Sequence, residues 1–245
     1  MIISNNRKFI FLKNPRTGST SVQKFFLTVF RDNTRPTSGA DLTYFDHYGR
    51  TTTRITEQCM PLQHYIDNNF VTGDISQYTT YVVVRDPIER FRSVCRSYID
   101  TGKLVMLYSQ DFWKIMTDEE KETALSCPKT LTLDPAIFSS EFIDLYNSIS
   151  IDQIANKLLT NPSKINPNHY GLPQSVYYED FRVKVIDYKN LQQEVDNICD
   201  IYGFTKSTLP EIHRSVTTSS FTEETINSIK NVYSKDVEYY SRLSQ

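Results

Sequence analysis

Apolar positions along the chain fall into short continuous runs and into longer stretches with the spacing of one helix face. Residues 9–12 are all apolar, and after a polar segment Val22, Phe25, Phe26 and Val29 recur at helical spacing. This order predicts a strand, a tight loop and a helix.

A second apolar run, residues 81–84, is rich in β-branched side chains, as expected of a central parallel strand. A helix is predicted directly after it. Asp86 can cap that helix, Pro87 suits its first position, and Glu89 has the spacing of a capping box.

The rest of the chain continues the alternation of strands and helices. The pattern predicts a strand at 183–186, a helix over 191–202 that ends at Gly203, and helical segments at 109–126 (two helices, divided near residue 117), 150–159 and 226–240. Residues 32–69 are assigned to loops and 70–72 to a short strand. This alternation predicts an α/β fold with a parallel central sheet flanked by helices. We expect a single domain over residues 1–245, with a substrate-side insertion at 100–150.

Composition narrows the functional classes. The chain has 245 residues, four cysteines and a net charge of −2, which gives no overall field to attract nucleic acid. No apolar run approaches the length of a membrane span, and no signal-peptide pattern is present. Cysteines scattered without a Cys-x-x-Cys pair predict free, mostly buried thiols in a reducing compartment and no metal site. We therefore expect a cytoplasmic globular protein.

The polar segment after the first predicted strand has the chemistry of an anion site. It places cations, hydroxyls and one glycine at the start of a helix, where N–H groups and the helix dipole favour negative charge. Gly18 allows close approach of the backbone, and hydroxyls can bind single phosphate oxygens. Lys13 is expected in a solvated pocket. The candidate residues are Lys13, Arg16, Thr17, Gly18, Ser19, Thr20 and Ser21.

Two alternatives apply to this segment alone. The P-loop of nucleoside triphosphatases fits poorly, because that motif requires a lysine directly after its second glycine and none follows Gly18. An ordinary strand-to-helix connection with a solvated basic loop is the other alternative.

A second basic segment follows the second predicted strand. Arg85 lies at the carboxyl end of that strand, and Arg92, Ser93 and Arg96 follow on the helix. Parallel sheets bind ligands at the carboxyl ends of their strands, so both basic segments are predicted at one edge of the sheet. The alternative is that these arginines form surface ion pairs, which contribute little stability.

Together the two segments resemble the cofactor signatures of the sulfotransferases that use 3′-phosphoadenosine 5′-phosphosulfate (PAPS). The similar sequences are Lys-Asn-Pro-Arg-Thr-Gly-Ser-Thr-Ser at residues 13–21 and Val-Arg-Asp-Pro-x-x-Arg-x-x-Ser at residues 84–93. The resemblance implies the P-loop-kinase-like sulfotransferase fold. It also implies that the first segment holds the 5′-phosphosulfate, and that Arg85 and Ser93 hold the 3′-phosphate.

Later segments are similar to the carbohydrate branch of that family, which includes the heparan and chondroitin types. These segments are residues 168–174, 209–215 and 232–240, although the Asn–His spacing differs in the first and His213 replaces a usual Asn. Residues 100–150 contribute nothing to the resemblance. The branch implies a carbohydrate hydroxyl as acceptor; a lipid, a small phenol or a tyrosyl peptide stays open.

The resemblance further implies a mechanism without a metal. The sulfuryl group would pass in line from PAPS to an acceptor hydroxyl and leave 3′,5′-ADP as product. Lys13 and the backbone of residues 18–21 would neutralise the 5′-phosphate leaving group, and Arg16 would orient the sulfonate or that phosphate.

The acceptor hydroxyl needs a base, which in this family is a His or a Glu. His47 lies where the heparan 2-O-type members carry theirs, and an ordinary histidine pKa suits base catalysis at neutral pH. Asp46 and Glu57 are the alternative bases. His169 and His213 are expected to line the acceptor or nucleotide pocket.

Two other functions stay open at this point. A small-molecule kinase with an atypical phosphate loop would need ATP, Mg²⁺ and an acidic ligand after a strand. Asp86 has that position, but its Asp-Pro step favours a helix cap. A non-catalytic nucleotide-binding module would keep the fold and lack the base.

Overall fold

The computed structural model of the protein describes residues 1–4, 7–33, 42–44, 59, 61–67, 73–100, 104–126, 135–160, 171–180, 182–211 and 220–243. The strands in these ranges are β1 (Ile2–Ser4), β2 (Phe9–Leu12), β3 (Leu42–Tyr44), β4 (Thr79–Val84) and β5 (Val183–Asp187). Short 3₁₀ helices lie at Ile75–Gln77 and Tyr188–Asn190. The α-helices are α1 (Ser19–Asn33), α2 (Leu62–Asp67), α3 (Pro87–Asp100), α4 (Leu104–Leu107), α5 (Ser109–Ile115), α6 (Asp118–Ser126), α7 (Ser140–Ser148), α8 (Ile151–Thr160), α9 (Ser175–Tyr178), α10 (Leu191–Tyr202), α11 (Glu223–Val232) and α12 (Ser234–Leu243).

The strands form one mixed sheet in the order β3-β1-β2-β4-β5. β2, β4 and β5 pair in parallel, with Leu12 opposite Val82 and Val84 opposite Asp187 at the ends of the two ladders. β1 runs antiparallel to both of its neighbours. The α/β fold with a parallel centre is therefore confirmed, and the carboxyl ends of β2, β4 and β5 lie at one edge of the sheet.

Alternate side chains of the central strands enter two separate cores. Phe9 and Phe11 pack with α1 and α10 on one face, whereas Ile10 and Leu12 pack with α2, α9 and α12 on the other. Residues that are buried on both faces explain why β2 and β4 appear in the sequence as continuous apolar runs rather than as alternating ones.

Most predicted elements are confirmed, including the pair of helices at 109–126, the strand at 183–186 and the left-handed Gly203 (φ 67°) that ends α10. The loop assignment of 32–69 was wrong where β3 and α2 occur. The strand predicted at 70–72 lies outside the described residues.

The single helix predicted over 226–240 was also wrong, because α11 and α12 are separated at Tyr233. At that residue the chain passes from one compact unit to another. A hydrophobic period that continues across one residue cannot reveal such an interruption.

Two compact units divide the chain. The first comprises Met1–Pro87, Ile165–Arg214 and Tyr233–Gln245 and contains the sheet. The second comprises Ile88–Lys164 and Ser215–Val232, and its described residues are helical or in loops. Within it Phe142 stacks on Phe138 at 4.7 Å and contacts Phe112 at 4.9 Å, measured between ring centroids. The assignment of residues 1–245 to one domain with an insertion stays a prediction.

Candidate functional site

The loop between β2 and α1 is held together by its own side chains. The carbonyl oxygen of Asn14 accepts hydrogen bonds from the hydroxyls of Thr17 at 2.9 Å and Ser19 at 2.5 Å. Both hydroxyl residues are buried, as are Lys13 and Asn14, whose exposed fractions are 6% and 0%. Lys13 therefore does not lie in the solvated setting expected from the sequence. Arg16, Thr20 and Ser21 are partly exposed.

Two residues of this loop have left-handed backbone conformations, Arg16 with φ 64° and Gly18 with φ 80°. A Cβ atom at position 18 would lie 2.8 Å from Cε2 of Tyr188, closer than carbon atoms pack. Glycine is therefore required here both by the backbone angle and by the close approach of the Tyr188 ring.

The start of α1 is suited to an anion. The carbonyl of Gly18 accepts the N–H groups of Ser21 and Val22, at 3.0 and 3.4 Å. Helix geometry leaves the N–H groups of Ser19 and Thr20 without an intrahelical acceptor. No acidic residue occurs in the first turn of this 15-residue helix, so its dipole is not neutralised there.

The second candidate segment begins where β4 ends. The guanidinium carbon of Arg85 lies 4.6 Å from the centroid of the Tyr188 ring, which follows β5 directly. The same ring packs against Gly18. Tyr188 thus joins the two predicted phosphate segments at the carboxyl edge of the sheet, and it keeps 37% of its surface exposed.

Gln174 makes a second connection between the two segments. Its Oε1 accepts the backbone N–H of Arg85 at 3.0 Å and Nδ2 of Asn14 at 3.3 Å. Its Nε2 donates to the carbonyl oxygen of Arg85 at 2.7 Å. Only 1% of Gln174 is exposed, so its side chain makes contacts inside the protein and is not available to bind a substrate molecule.

Asp236 on α12 holds the backbone on which Gln174 lies. Its two carboxylate oxygens accept the N–H groups of Gln174 at 2.6 Å and Ser175 at 2.8 Å. The hydroxyl of Tyr178 donates to the same carboxylate at 3.0 Å. Burial, followed by the neighbouring Asp236 charge, raises the pKa of Tyr178, so the hydroxyl stays a donor at neutral pH.

The residues of α3 from Ile88 onward belong to the second compact unit. Ser93 is partly exposed on this helix, whereas Arg90 of the same motif is 2% exposed. Arg92 pairs with the Glu89 carboxylate, and its guanidinium lies 5.3 Å from the Phe221 ring centroid. The binding role of Ser93 stays a prediction.

The predicted base and pocket residues lie outside the described residues. They are the base His47, its alternatives Asp46 and Glu57, and the pocket residues His169 and His213. The candidate base therefore stays a prediction from the sequence.

Three of the four cysteines are described: Cys95 and Cys199 are buried free thiols, and Cys59 is partly exposed. Burial raises the pKa of Cys95 strongly and that of Cys199 to about 11, so both thiols stay protonated at neutral pH. The described residues contain no cluster of His, Cys, Asp and Glu that could hold a metal ion. None of the described helices combines the length and apolar character needed to cross a membrane.

We did not predict from the sequence that Tyr188 and Asp236 help to connect the two segments, nor that Gln174 lies at the carboxyl edge of the sheet. A signal existed for Asp236, because it lies between the buried residues Tyr233 and Tyr240 at helical spacing on the apolar stripe. A carboxylate in that position requires hydrogen-bond donors from elsewhere in the fold. For Tyr188 the only signal in the sequence was its position shortly after a predicted strand.

Comparison with known proteins supplies the family. The model of the sulfotransferase family matches residues 1–243, nearly the whole chain. No curated protein and no solved structure gave a match. The matched range includes both candidate segments, at residues 13–21 and 84–93. The chain therefore belongs to the sulfotransferase family.

Proposed function

We propose that the protein transfers the sulfuryl group of PAPS to a hydroxyl of a carbohydrate acceptor. The observation that carries this proposal is the meeting of the 13–21 loop and Arg85 around Tyr188. A PAPS molecule has two separate anionic groups, and a family member with two cationic strand ends at one edge suits such a donor.

The donor set of the first loop fits the 5′-phosphosulfate. The start of α1 offers N–H groups and an uncompensated dipole. Lys13 has 6% of its surface exposed, and a charge in so little water interacts more strongly with an anion than it would at the surface. When bound, PAPS supplies an activated sulfuryl group. Lys13 and the N–H groups of Ser19 and Thr20 would neutralise the charge that develops on the leaving phosphate.

We assign the 3′-phosphate to Arg85 and Ser93. The Arg85 guanidinium is oriented by its contact with the Tyr188 ring, and an oriented guanidinium can bind a phosphate through two parallel hydrogen bonds. A binding site for the 3′-phosphate would favour PAPS over ATP, because ATP lacks that phosphate.

The acceptor and the base rest on the resemblance. The similarity of residues 168–174 to the carbohydrate branch motivates a sugar hydroxyl, and the side chain of Gln174, which is 1% exposed, is not expected to contact it. His47 is proposed to take the proton of that hydroxyl, and a neutral imidazole is the form that can do so.

Titration with three nucleotides tests the donor. We expect 3′,5′-ADP to bind without metal and far more tightly than 5′-AMP or ATP with Mg²⁺, as measured by calorimetry. A hundredfold excess over the dissociation constant should stabilise the protein by about 2.7 kcal/mol in a thermal-shift assay. Equal affinity for 3′,5′-ADP and 5′-AMP would contradict the proposal, and a preference for ATP with Mg²⁺ would favour a kinase. Radiolabelled PAPS offered to glycans, lipids and phenols then identifies the acceptor.

A further inference from the structure

Arg85 lies one residue beyond the paired part of its strand. The ladder of β4 ends with Val82 opposite Leu12 on one side and with Val84 opposite Asp187 on the other. Beyond that point, the side-chain amide of Gln174 makes the hydrogen bonds to the backbone of Arg85. Gln174 accepts the N–H of Arg85 at 3.0 Å and donates to its carbonyl oxygen at 2.7 Å, as a neighbouring strand would. The direction of the Arg85 side chain therefore depends on a residue 89 positions away in the sequence.

The same amide also reaches the end of β2, where the 13–21 loop begins. Asn14 donates from Nδ2 both to Gln174 Oε1 and to the carbonyl oxygen of Val83, at 3.3 and 2.9 Å. The carbonyl of Asn14 in turn anchors the Thr17 and Ser19 hydroxyls of the loop. Gln174 is thus bonded firmly to the end of β4 and more weakly to the end of β2.

Gln174 is itself held in place by a buried charge. Asp236, 1% exposed, accepts the N–H groups of Gln174 and Ser175. A carboxylate so buried is costly unless it is hydrogen-bonded, so breaking its bonds to the backbone at 174–175 should be unfavourable. The chain of contacts runs from Asp236 through Gln174 to Arg85.

We propose that Gln174 and Asp236 are positioning residues that fix Arg85 for the 3′-phosphate of the donor, an inference that rests on the function proposed above. Because Gln174 makes two bonds to Arg85 and one longer bond to Asn14, its loss should impair the 3′-phosphate contact more than the 5′-phosphate contact. General destabilisation of the protein would instead weaken the binding of both nucleotides by the same factor.

The test compares affinities for 3′,5′-ADP and 5′-AMP by calorimetry. In the Gln174→Met variant we expect the affinity ratio to fall about tenfold, which corresponds to about 1.4 kcal/mol. Gln192→Met is the matched control, because Gln192 also accepts a backbone N–H (Leu209, 2.8 Å) and donates to a carbonyl (Ser207, 3.2 Å). The control should keep the wild-type ratio.

Asp236→Asn provides a second variant that keeps the side-chain volume, in case Gln174→Met does not fold. Its control is Glu120→Gln, since Glu120 is 4% exposed and likewise accepts two backbone N–H groups, of Thr117 and Ser139, each at 2.6 Å. The Asp236 variant should lower the ratio and the Glu120 variant should not.

The outcomes separate this inference from the proposed function. A wild-type protein without preference for 3′,5′-ADP would overturn both. A clear wild-type preference that persists in folded Gln174→Met or Asp236→Asn protein would overturn only the positioning role and leave the donor assignment intact.

Discussion

The two strand–helix junctions of the parallel core are stabilised in different ways. Between β2 and α1 the loop contains two left-handed residues, Arg16 and Gly18, and hydroxyls that bind the carbonyl of Asn14 within the same segment. Between β4 and α3 only Arg85 and Asp86 intervene. Gln174, from a distant part of the chain, completes the hydrogen bonds of that junction.

The difference shows where each junction is vulnerable. The geometry of the first is encoded locally, so substitutions within the loop should alter it directly. The second has an unremarkable local backbone, and its orientation depends on a tertiary contact. Changes at the first junction should therefore act on chemistry and local stability, whereas changes at the second should act on selectivity between nucleotides.

The largest effect is expected from a residue that belongs to neither junction. His47→Ala should lower kcat by about two to four orders of magnitude, as loss of a general base does. Affinity for 3′,5′-ADP should be kept, because proton abstraction and donor binding are separate functions. The wild-type rate should rise with pH through an apparent pKa of about 6–7, since only the neutral imidazole accepts a proton.

Steady-state kinetics with the identified acceptor check this prediction. His47→Gln should be no better than the alanine variant, because an amide cannot accept the proton. His64→Ala is the control, since the His64 ring packs against Tyr65 at 5.5 Å. Normal turnover by the His47→Ala variant would show that His47 is not the base, and Asp46 and Glu57 would then be substituted.

At the first junction, Lys13→Ala should lower kcat by about two to three orders of magnitude, the usual effect of removing one group that stabilises developing charge. Because Lys13 is 6% exposed, the alanine side chain also leaves unfilled volume. Lys13→Met restores that volume without the charge and should show the same loss of kcat with a smaller loss of thermal stability. Either variant with wild-type kcat would remove Lys13 from the catalytic machinery.

At the second junction, Arg85→Ala combined with Ser93→Ala should abolish most of the preference for 3′,5′-ADP over 5′-AMP. Hydrogen bonds to a charged group contribute about 1.5–3 kcal/mol, so we expect a loss of at least tenfold in the affinity ratio. Arg182→Ala is the control, because the Arg182 guanidinium pairs with the neighbouring Asp180. If the control lowers the ratio as much, the effect is one of overall charge and not of a phosphate contact.

The last prediction concerns stability, and compares two left-handed glycines. Gly203→Ala should cost about 1 kcal/mol of unfolding free energy, because its φ is 67° and no atom lies within 4 Å of the added Cβ. Gly18→Ala has a similar φ of 80° but also meets Tyr188 at 2.8 Å, so overpacking should add about 1–3 kcal/mol. Denaturant unfolding of both variants measures the difference. Equal losses would show that Tyr188 yields without cost and does not constrain the loop.

Much of the architecture was readable from local pattern. The apolar runs of β2 and β4, the helical spacing of α1 and α10, and Gly203 at the end of α10 each depend on interactions between residues close in sequence. β1 and β3 were missed because three residues are too few to show a period, and α2 was missed because its six residues make less than two helical turns. The division between α11 and α12 was missed because apolar spacing continues across it.

The sequence by itself determined the α/β fold, the two basic segments at strand ends and, through their motifs, the family. Their residue types and spacing follow from local requirements of a strand, a loop and a helix start. Only the tertiary structure decided that Lys13 is buried, that Tyr188 lies between Gly18 and Arg85, and that Gln174 and Asp236 hold the second junction. These contacts join residues up to 170 positions apart, and a side chain's partners at such separations depend on how the whole chain packs, not on its neighbours in sequence.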